Sequence, residues 1–138
     1  MNRFLAFFLL GFTLLVISCN SITNALSNPS IDGTWISTNT VTIATETITL
    51  NLKSVTGVTT IGGTGTIRIL VPGLSDTTYS IPAITGTYSY PNVSLTIPGA
   101  GAVGGGSFIG TMASDGKTFS GTLKTTGAPD LASTFTKK

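Results

Sequence analysis

Residues Ser107–Lys124, SFIGTMASDGKTFSGTLK, hold two runs of alternating apolar and polar residues on either side of Asp115-Gly116. Alternation with period two marks a strand with one buried face, and Asp-Gly between two such runs predicts a hairpin with a type I′ turn. Pairing Ser114 with Lys117 then sets Met112 opposite Phe119, Gly110 opposite Gly121 and Phe108 opposite Leu123. Every large apolar residue except Ile109 falls on one face. Facing glycines at mid-hairpin permit a sharp local bend, the kind that turns corners in small barrels.

The unit at the centre of that hairpin, Gly-Thr followed by a large apolar residue, recurs along the chain as Gly33-Thr34-Trp35, Gly65-Thr66-Ile67, Gly86-Thr87-Tyr88, Gly110-Thr111-Met112 and Gly121-Thr122-Leu123. Threonine and the residue after it favour a pleated surface, and glycine inside a strand marks a bulge, a bend or a close backbone approach. A second hairpin follows from Tyr90-Pro91-Asn92-Val93: pairing Tyr90 with Val93 places Ile84, Gly86, Tyr88, Val93, Leu95 and Ile97 on one face. About eight strands are expected, with cores at Gly33–Ser37, Val41–Leu52, Thr59–Val71, Thr77–Ile81 and Ile84–Tyr90 (one bent strand or two), Val93–Ile97, Ser107–Met112, Thr118–Lys124 and Leu131–Thr136. The break at Pro82 is visible as a switch of apolar parity from Tyr79 and Ile81 to Ile84. No window from Ile31 onward carries a helical stripe. One-faced hairpins must bury that face against a second sheet or the far wall of a barrel. The long segments Val41–Leu52 and Thr59–Val71 favour an eight-stranded antiparallel up-and-down barrel, with a β-sandwich as the alternative.

Composition narrows the function classes. Charged residues make up 9% of the 138 residues, against roughly 25% in an average soluble domain, with threonine and serine in their place. Without Arg3, six Lys/Arg face five Asp/Glu along the chain, which leaves no electrostatic footprint for nucleic acid. There is no histidine and a single cysteine. Nucleophilic Cys/His and Ser/His/Asp sites are therefore excluded, zinc sites with them, and no cofactor is implied.

The first eighteen residues read as a signal segment. Arg3 supplies a positive n-region, and Phe4–Ile17 is an apolar run interrupted by Gly11 and Thr13. As a helix the run spans roughly 21 Å, short of the ~30 Å hydrocarbon core of a membrane. Val16-Ile17-Ser18-Cys19 follows, and it resembles the lipobox of bacterial lipoproteins: two aliphatic residues, a small one, then the cysteine that is lipidated. The resemblance implies cleavage before Cys19 and a thioether-linked diacylglycerol on it, often with an amide-linked third chain such as palmitate, anchoring the protein to a membrane of the bacterial cell envelope. Asn20, in place of the aspartate that in some bacteria retains lipoproteins at the inner membrane, points to the outer membrane or cell surface. Residues 19–30 read as a lipidated tether rich in Asn and Ser, and 31–138 as the β domain.

Ile31-Asp32-Gly33-Thr34-Trp35 resembles the Gly-X-Trp opening of the calycins, the lipocalin and avidin-like barrels, in which the tryptophan closes the base of the first strand. Ile84-Thr85-Gly86-Thr87-Tyr88 and Thr134-Phe135-Thr136-Lys137 are similar to avidin-type strand pieces. The resemblance implies a closed barrel with Trp35 packed against the last strand around Phe135. It does not extend to biotin: this chain has one tryptophan where biotin-binding relatives use several, Ser37 stands where they place an asparagine ligand, and no lipocalin-like helix follows the last strand.

Two functions fit such a barrel. It holds a small apolar ligand, with Trp35, Glu46 and Tyr88 as candidate contacts, or it contacts envelope partners without a small-molecule ligand. The small inward residues Gly63, Gly65, Gly86, Gly110 and Gly121 leave room for either filling. Neither is enzymatic. With a tight turn at Asn39-Thr40, Gly33 lies opposite Glu46 and Asp32 points to the other side of the sheet, so the two carboxylates do not form an acid/base pair. Glu46 shares parity with Ile48, Leu50 and Leu52; it either reaches into the barrel as a polar contact or is turned to solvent by a bulge near Thr45.

Overall fold

Eight strands follow one another: β1 (Gly33–Val41), β2 (Ala44–Ser54), β3 (Thr60–Val71), β4 (Ser75–Ser89), β5 (Asn92–Ile97), β6 (Gly106–Met112), β7 (Thr118–Thr125) and β8 (Leu131–Lys137). They come from a computed structural model that describes residues 28–55 and 58–138. The expected signal segment, Cys19 and most of the tether lie outside the described residues. Each strand pairs antiparallel with the next, and β8 returns to β1 with Trp35 opposite Lys137 and Ile36 opposite Thr136, closing a barrel rather than a sandwich. Closure follows from the alternation: each strand has one apolar face, and the barrel gathers those faces inside.

Every second residue of β5 is buried, namely Val93, Leu95 and Ile97. The same alternation places Ile48, Leu50 and Leu52 inside from β2 and Phe119 and Leu123 from β7. Threonines and serines take the outer positions. Across the barrel Trp35, Phe108, Phe119 and Phe135 form one aromatic cluster, with ring centroids 4.7 Å apart for Trp35–Phe119 and 4.9 Å for Phe119–Phe135. Such pairs add to the burial of apolar area.

The β6–β7 register is the one read from the sequence, with Met112 opposite Phe119, Gly110 opposite Gly121 and Phe108 opposite Leu123. Thr111 and Ser120 face outward, and Ile109 is 61% exposed. The turn differs from the expected type. Gly116 donates to the Ala113 carbonyl at 3.0 Å, and Gly116, not Asp115, takes the positive φ of 65°. Ala113 also donates to the Thr118 carbonyl at 2.9 Å, so residues 114–117 form a four-residue loop built around a β-turn rather than a two-residue turn. The Asp115 side chain accepts the Lys117 N–H at 2.9 Å instead of adopting the left-handed conformation.

Two other hairpins slip by an even number of residues. Tyr88, not Tyr90, pairs with Val93, and Tyr90-Pro91, joined by a cis peptide bond, forms the turn. In the first hairpin the turn is at Thr42-Ile43, not Asn39-Thr40, and Glu46 faces Asn39 while Gly33 faces Leu52. An even slip leaves every residue on its expected face.

The expected segments Thr77–Ile81 and Ile84–Tyr90 belong to one bent strand, β4, which ends at Ser89. Gly63 faces Ile84 but Gly65 faces Ile81, so Thr64 alone opposes both Pro82 and Ala83. The proline, which has no N–H to give, sits in this bulge, and the extra residue switches the inward parity from Ile81 to Ile84.

The inward glycines do not leave the room expected of them. A Cβ on Gly110 would lie 2.3 Å from the Ser120 carbonyl oxygen and 2.6 Å from the Phe108 ring, and one on Gly121 would lie 2.4 Å from the Gly110 Cα. The two strands approach closely there, and the Phe108 ring takes the space a side chain would need.

Candidate functional site

Strand direction divides the inside of the barrel into two ends. At the base lie the start of β1, the end of β8 and the β4–β5 and β6–β7 turns; at the mouth lie the β1–β2, β3–β4 and β7–β8 turns and the long β5–β6 loop.

The base is plugged by the chain that enters it. Ile31 is fully buried, and its carbonyl accepts the Trp35 indole N–H at 2.7 Å. Tyr88 donates its hydroxyl to the Pro29 carbonyl, and the Lys137 ammonium donates to the Ser30 carbonyl at 3.1 Å while lying 5.2 Å from the centre of the Trp35 ring. Asp32 ties the plug to β2 by accepting from the Ser54 hydroxyl at 2.7 Å and the Ser54 N–H at 2.6 Å, bonds that hold its carboxyl below the usual aspartate range. The last residues of the expected tether, Pro29 and Ser30, are thus part of the barrel's closure. Two of the three candidate contacts belong to this end. Trp35 is a core residue with no exposed surface, packed on Phe119, which in turn stacks on Phe135. Tyr88 is a half-buried strut whose hydroxyl burial pushes above its usual pKa, with Tyr90 adding to the effect.

Glu46 stands at the other end. The β2 register runs unbroken from Thr45 to Ser54 against β3, so the bulge that would turn Glu46 outward is absent. Its carboxylate lies half-buried on the inner wall, four residues up the strand from Leu50, the partner of Trp35, or about 13 Å away. The structure therefore does not bring Trp35, Glu46 and Tyr88 together, and it separates Asp32 from Glu46 by the height of the barrel. Glu46 borders an internal cavity of about 20 Å³, with Ile48 and Ile67 on its own side, Ile97, Leu123 and Thr125 on the facing side, and Val103 of the β5–β6 loop at the rim. That volume is room for one water molecule. Desolvation pushes the Glu46 carboxyl above its usual range, and among the described residues no hydrogen bond or charge offsets it.

A polar row beside Glu46 completes the mouth. Asn39 lies directly across from Glu46 and its amide nitrogen donates to the Ser133 hydroxyl at 3.4 Å. One step deeper on the same strand, Ser37 is 2% exposed and its hydroxyl has no hydrogen-bond partner. Carrying the Trp35 alternation two steps further along β1 would have found both residues; the misplaced turn at Asn39-Thr40 hid them.

Other clefts lie outside. One of about 600 Å³ runs along the outer face of β1–β3 near the base, around Asp32, Thr34, Asn51, Lys53 and Thr64. Two of its polar groups already pair with neighbours, Asp32 with Ser54 and Thr34 with Asn51 at 2.8 Å. Among the described residues no three His, Cys, Asp or Glu side chains come close enough to hold a metal ion. Compared with protein-family models, with curated proteins and with solved structures, the chain has no match.

Proposed function

We propose that the chain is an exported bacterial lipoprotein whose barrel is held at the cell envelope, at the outer membrane or cell surface, by acyl chains on Cys19, and that it acts there without catalysis through its surface. The observation that carries this reading is Val16-Ile17-Ser18-Cys19, placed directly at the end of a fourteen-residue apolar run with a positive charge before it, and holding the only cysteine. Two or three acyl chains at about 0.8 kcal/mol per buried CH₂ make such an anchor effectively permanent.

The packing supports surface contact over carriage of a sizeable apolar ligand. Pockets for drug-sized molecules hold about 300–1,000 Å³, whereas the cavity beside Glu46 holds about 20 Å³ and aromatic side chains fill the base. Apolar groups are instead displayed at the mouth, where Ile43 and Leu74, 68% and 81% exposed, flank a cleft of about 520 Å³ with Val71 and Pro72. The chain enters at the base, so this apolar rim is at the end away from the point of attachment.

Replacing Cys19 with Ala tests the anchor. The variant is expected to lose incorporation of labelled fatty acid and to move from the detergent phase to the aqueous phase on phase separation. Unchanged labelling and partitioning would overturn the reading.

A further inference from the structure

Of the five Asp and Glu side chains, four are tied to a neighbour. Asp32 accepts from Ser54, Asp76 forms a two-pronged pair with Arg68, Asp115 accepts from the Lys117 N–H, and Asp130 lies 3.5 Å from the Lys124 ammonium. The fifth, Glu46, sits inside the barrel, and no partner for it is found among the described residues. A carboxylate half withdrawn from water without a partner carries a desolvation cost, and a cation at the site offsets it.

We propose that the mouth of the barrel binds a small organic ammonium ion, with Glu46 as its counter-ion and the glycine-rich β5–β6 loop as the lid that admits it. The proposal goes beyond the anchoring read above and does not depend on it.

The groups at the mouth match that chemistry. An alkylammonium presents three N–H donors and no acceptor. Glu46 offers carboxylate oxygens, and Asn39 across from it has its amide nitrogen engaged with Ser133, which leaves its carbonyl oxygen as an acceptor. Thr125 adds a hydroxyl on the facing wall, and the buried, unpartnered hydroxyl of Ser37 lies one step below Asn39. Ile48, Ile67 and Ile97 supply an apolar wall for a short alkyl chain. Among the described residues no cationic side chain competes: Lys53, Arg68, Lys117, Lys124 and Lys138 are exposed, and Lys137 is at the base. The inward neighbours of Glu46, which are Asn39, Ile69, Ile97, Gly106, Thr125 and the lid residues Val103 and Gly104, include no titratable group.

The lid accounts for the small size of the closed cavity. Pro98–Gly105 contains Gly99, Gly101, Gly104 and Gly105, and it is seated by buried Ala100, half-buried Val103 and the packing of Gly101 on the Tyr79 ring. Its bonds to the rest of the barrel are made at its foot, where the Gly105 carbonyl accepts from the Thr126 N–H at 3.1 Å and hydroxyl at 3.2 Å. Lifting the loop about that foot withdraws Val103 and opens the space beside Glu46. A flexible segment rich in glycine is the usual material of such a gate.

The test is calorimetric titration of the full-length protein, purified in detergent at neutral pH, with n-butylamine, and with n-butanol as its neutral analogue. The amine is expected to bind with a dissociation constant in the range of about 1 mM or tighter, and the alcohol about tenfold or more weakly. Glu46→Gln keeps the shape of the side chain, removes a desolvated charge and is expected to fold; it should weaken amine binding about tenfold or more. A second measurement needs no variant. Acidification through the raised pKa of Glu46 should abolish amine binding by the unaltered protein. Equal binding of amine and alcohol, equal binding by Glu46→Gln, affinity that does not change on acidification, or no binding at millimolar amine would each overturn the proposal. None of these results bears on Cys19, whose variant reads the anchor separately.

Discussion

The base and the mouth of this barrel are closed in different ways. At the base, aromatic rings fill the interior, and the entering chain is tied down by Trp35, Tyr88, Lys137 and Asp32. At the mouth, a loop of small residues covers a single carboxylate, and an unpartnered serine hydroxyl lies beneath. One closed sheet thus carries an end whose polar groups are satisfied by the fold and an end where, among the described residues, Glu46 and Ser37 find no partner. Buried polar groups left unpaired cost stability, and they persist where the structure has a use for them.

The sharpest way to break the contrast is to remove the largest side chain of the base. Trp35→Ala should lower stability by about 3–5 kcal/mol, the range for a large-to-small aromatic change in a core, because it empties the space against Phe119 and frees the Ile31 carbonyl. Chemical denaturation reads this loss directly. A loss below about 1 kcal/mol would mean that the base is no better filled than the mouth.

A smaller change tests the plug alone. Tyr88→Phe keeps the ring and deletes the hydroxyl that bonds the Pro29 carbonyl, and it should cost about 1 kcal/mol. Hydrogen exchange should rise at Ile31 and Asp32 while the Gly105–Thr126 contact at the mouth is unaffected. Equal loosening at both ends would show that they are mechanically one unit.

The smallest effect is the dependence of stability on pH, where the two ends act with opposite sign. Asp32 has a folded pKa below its usual 3.8, through its bonds to Ser54, so its contribution is present above that value and is lost as pH falls through the lowered one. Glu46 has a folded pKa above its usual 4.5, because burial penalises the ionised form, so the folded state binds the proton more tightly than the unfolded chain. Its penalty sets in as pH rises from 4.5 through the raised value and is absent below. Melting temperature should therefore climb on mild acidification before it falls in stronger acid. In Glu46→Gln the climb should disappear, while Asp32→Asn should blunt only the acid fall. A climb that survives in Glu46→Gln would place its origin elsewhere.

How much of this was legible in the sequence depends on what alternation can encode. It fixes which face a residue takes, so the inward set and the exposed Ile109 were readable from spacing, whereas the barrel was favoured over a sandwich only by the length of two segments, and its closure rests on the β1–β8 pairing. It fixes register only modulo two. The first hairpin slipped from Asn39-Thr40 to Thr42-Ile43 without moving any side chain to the wrong face, because the slip is even, and the residue that takes the positive φ is Thr42, a β-branched residue that carries no turn signal. The Tyr90-Val93 pairing slipped by two for the same reason. The parity switch at Pro82 was visible, and its cause, an extra residue opposite Thr64, needed the partner strand. The same limit hid the candidate site. Glu46 was readable as inward by parity, but its neighbours Asn39 and Ser133 come from strands whose pairing the pattern leaves open.

The plug at the base also gives the domain a defined response to force. Any pull on the chain ahead of Asn28 is transmitted first to the Pro29 and Ser30 carbonyls, held by Tyr88 and Lys137, and then to the side chain of Ile31 in its apolar seat. Only when those give way does the load reach β1, where the bonds joining Gly33–Val41 to β2 run as a full-length ladder. Residues 29–31 therefore act as a strain relief between the chain ahead of Asn28 and the sheet, yielding a few residues of slack before the barrel itself is asked to open.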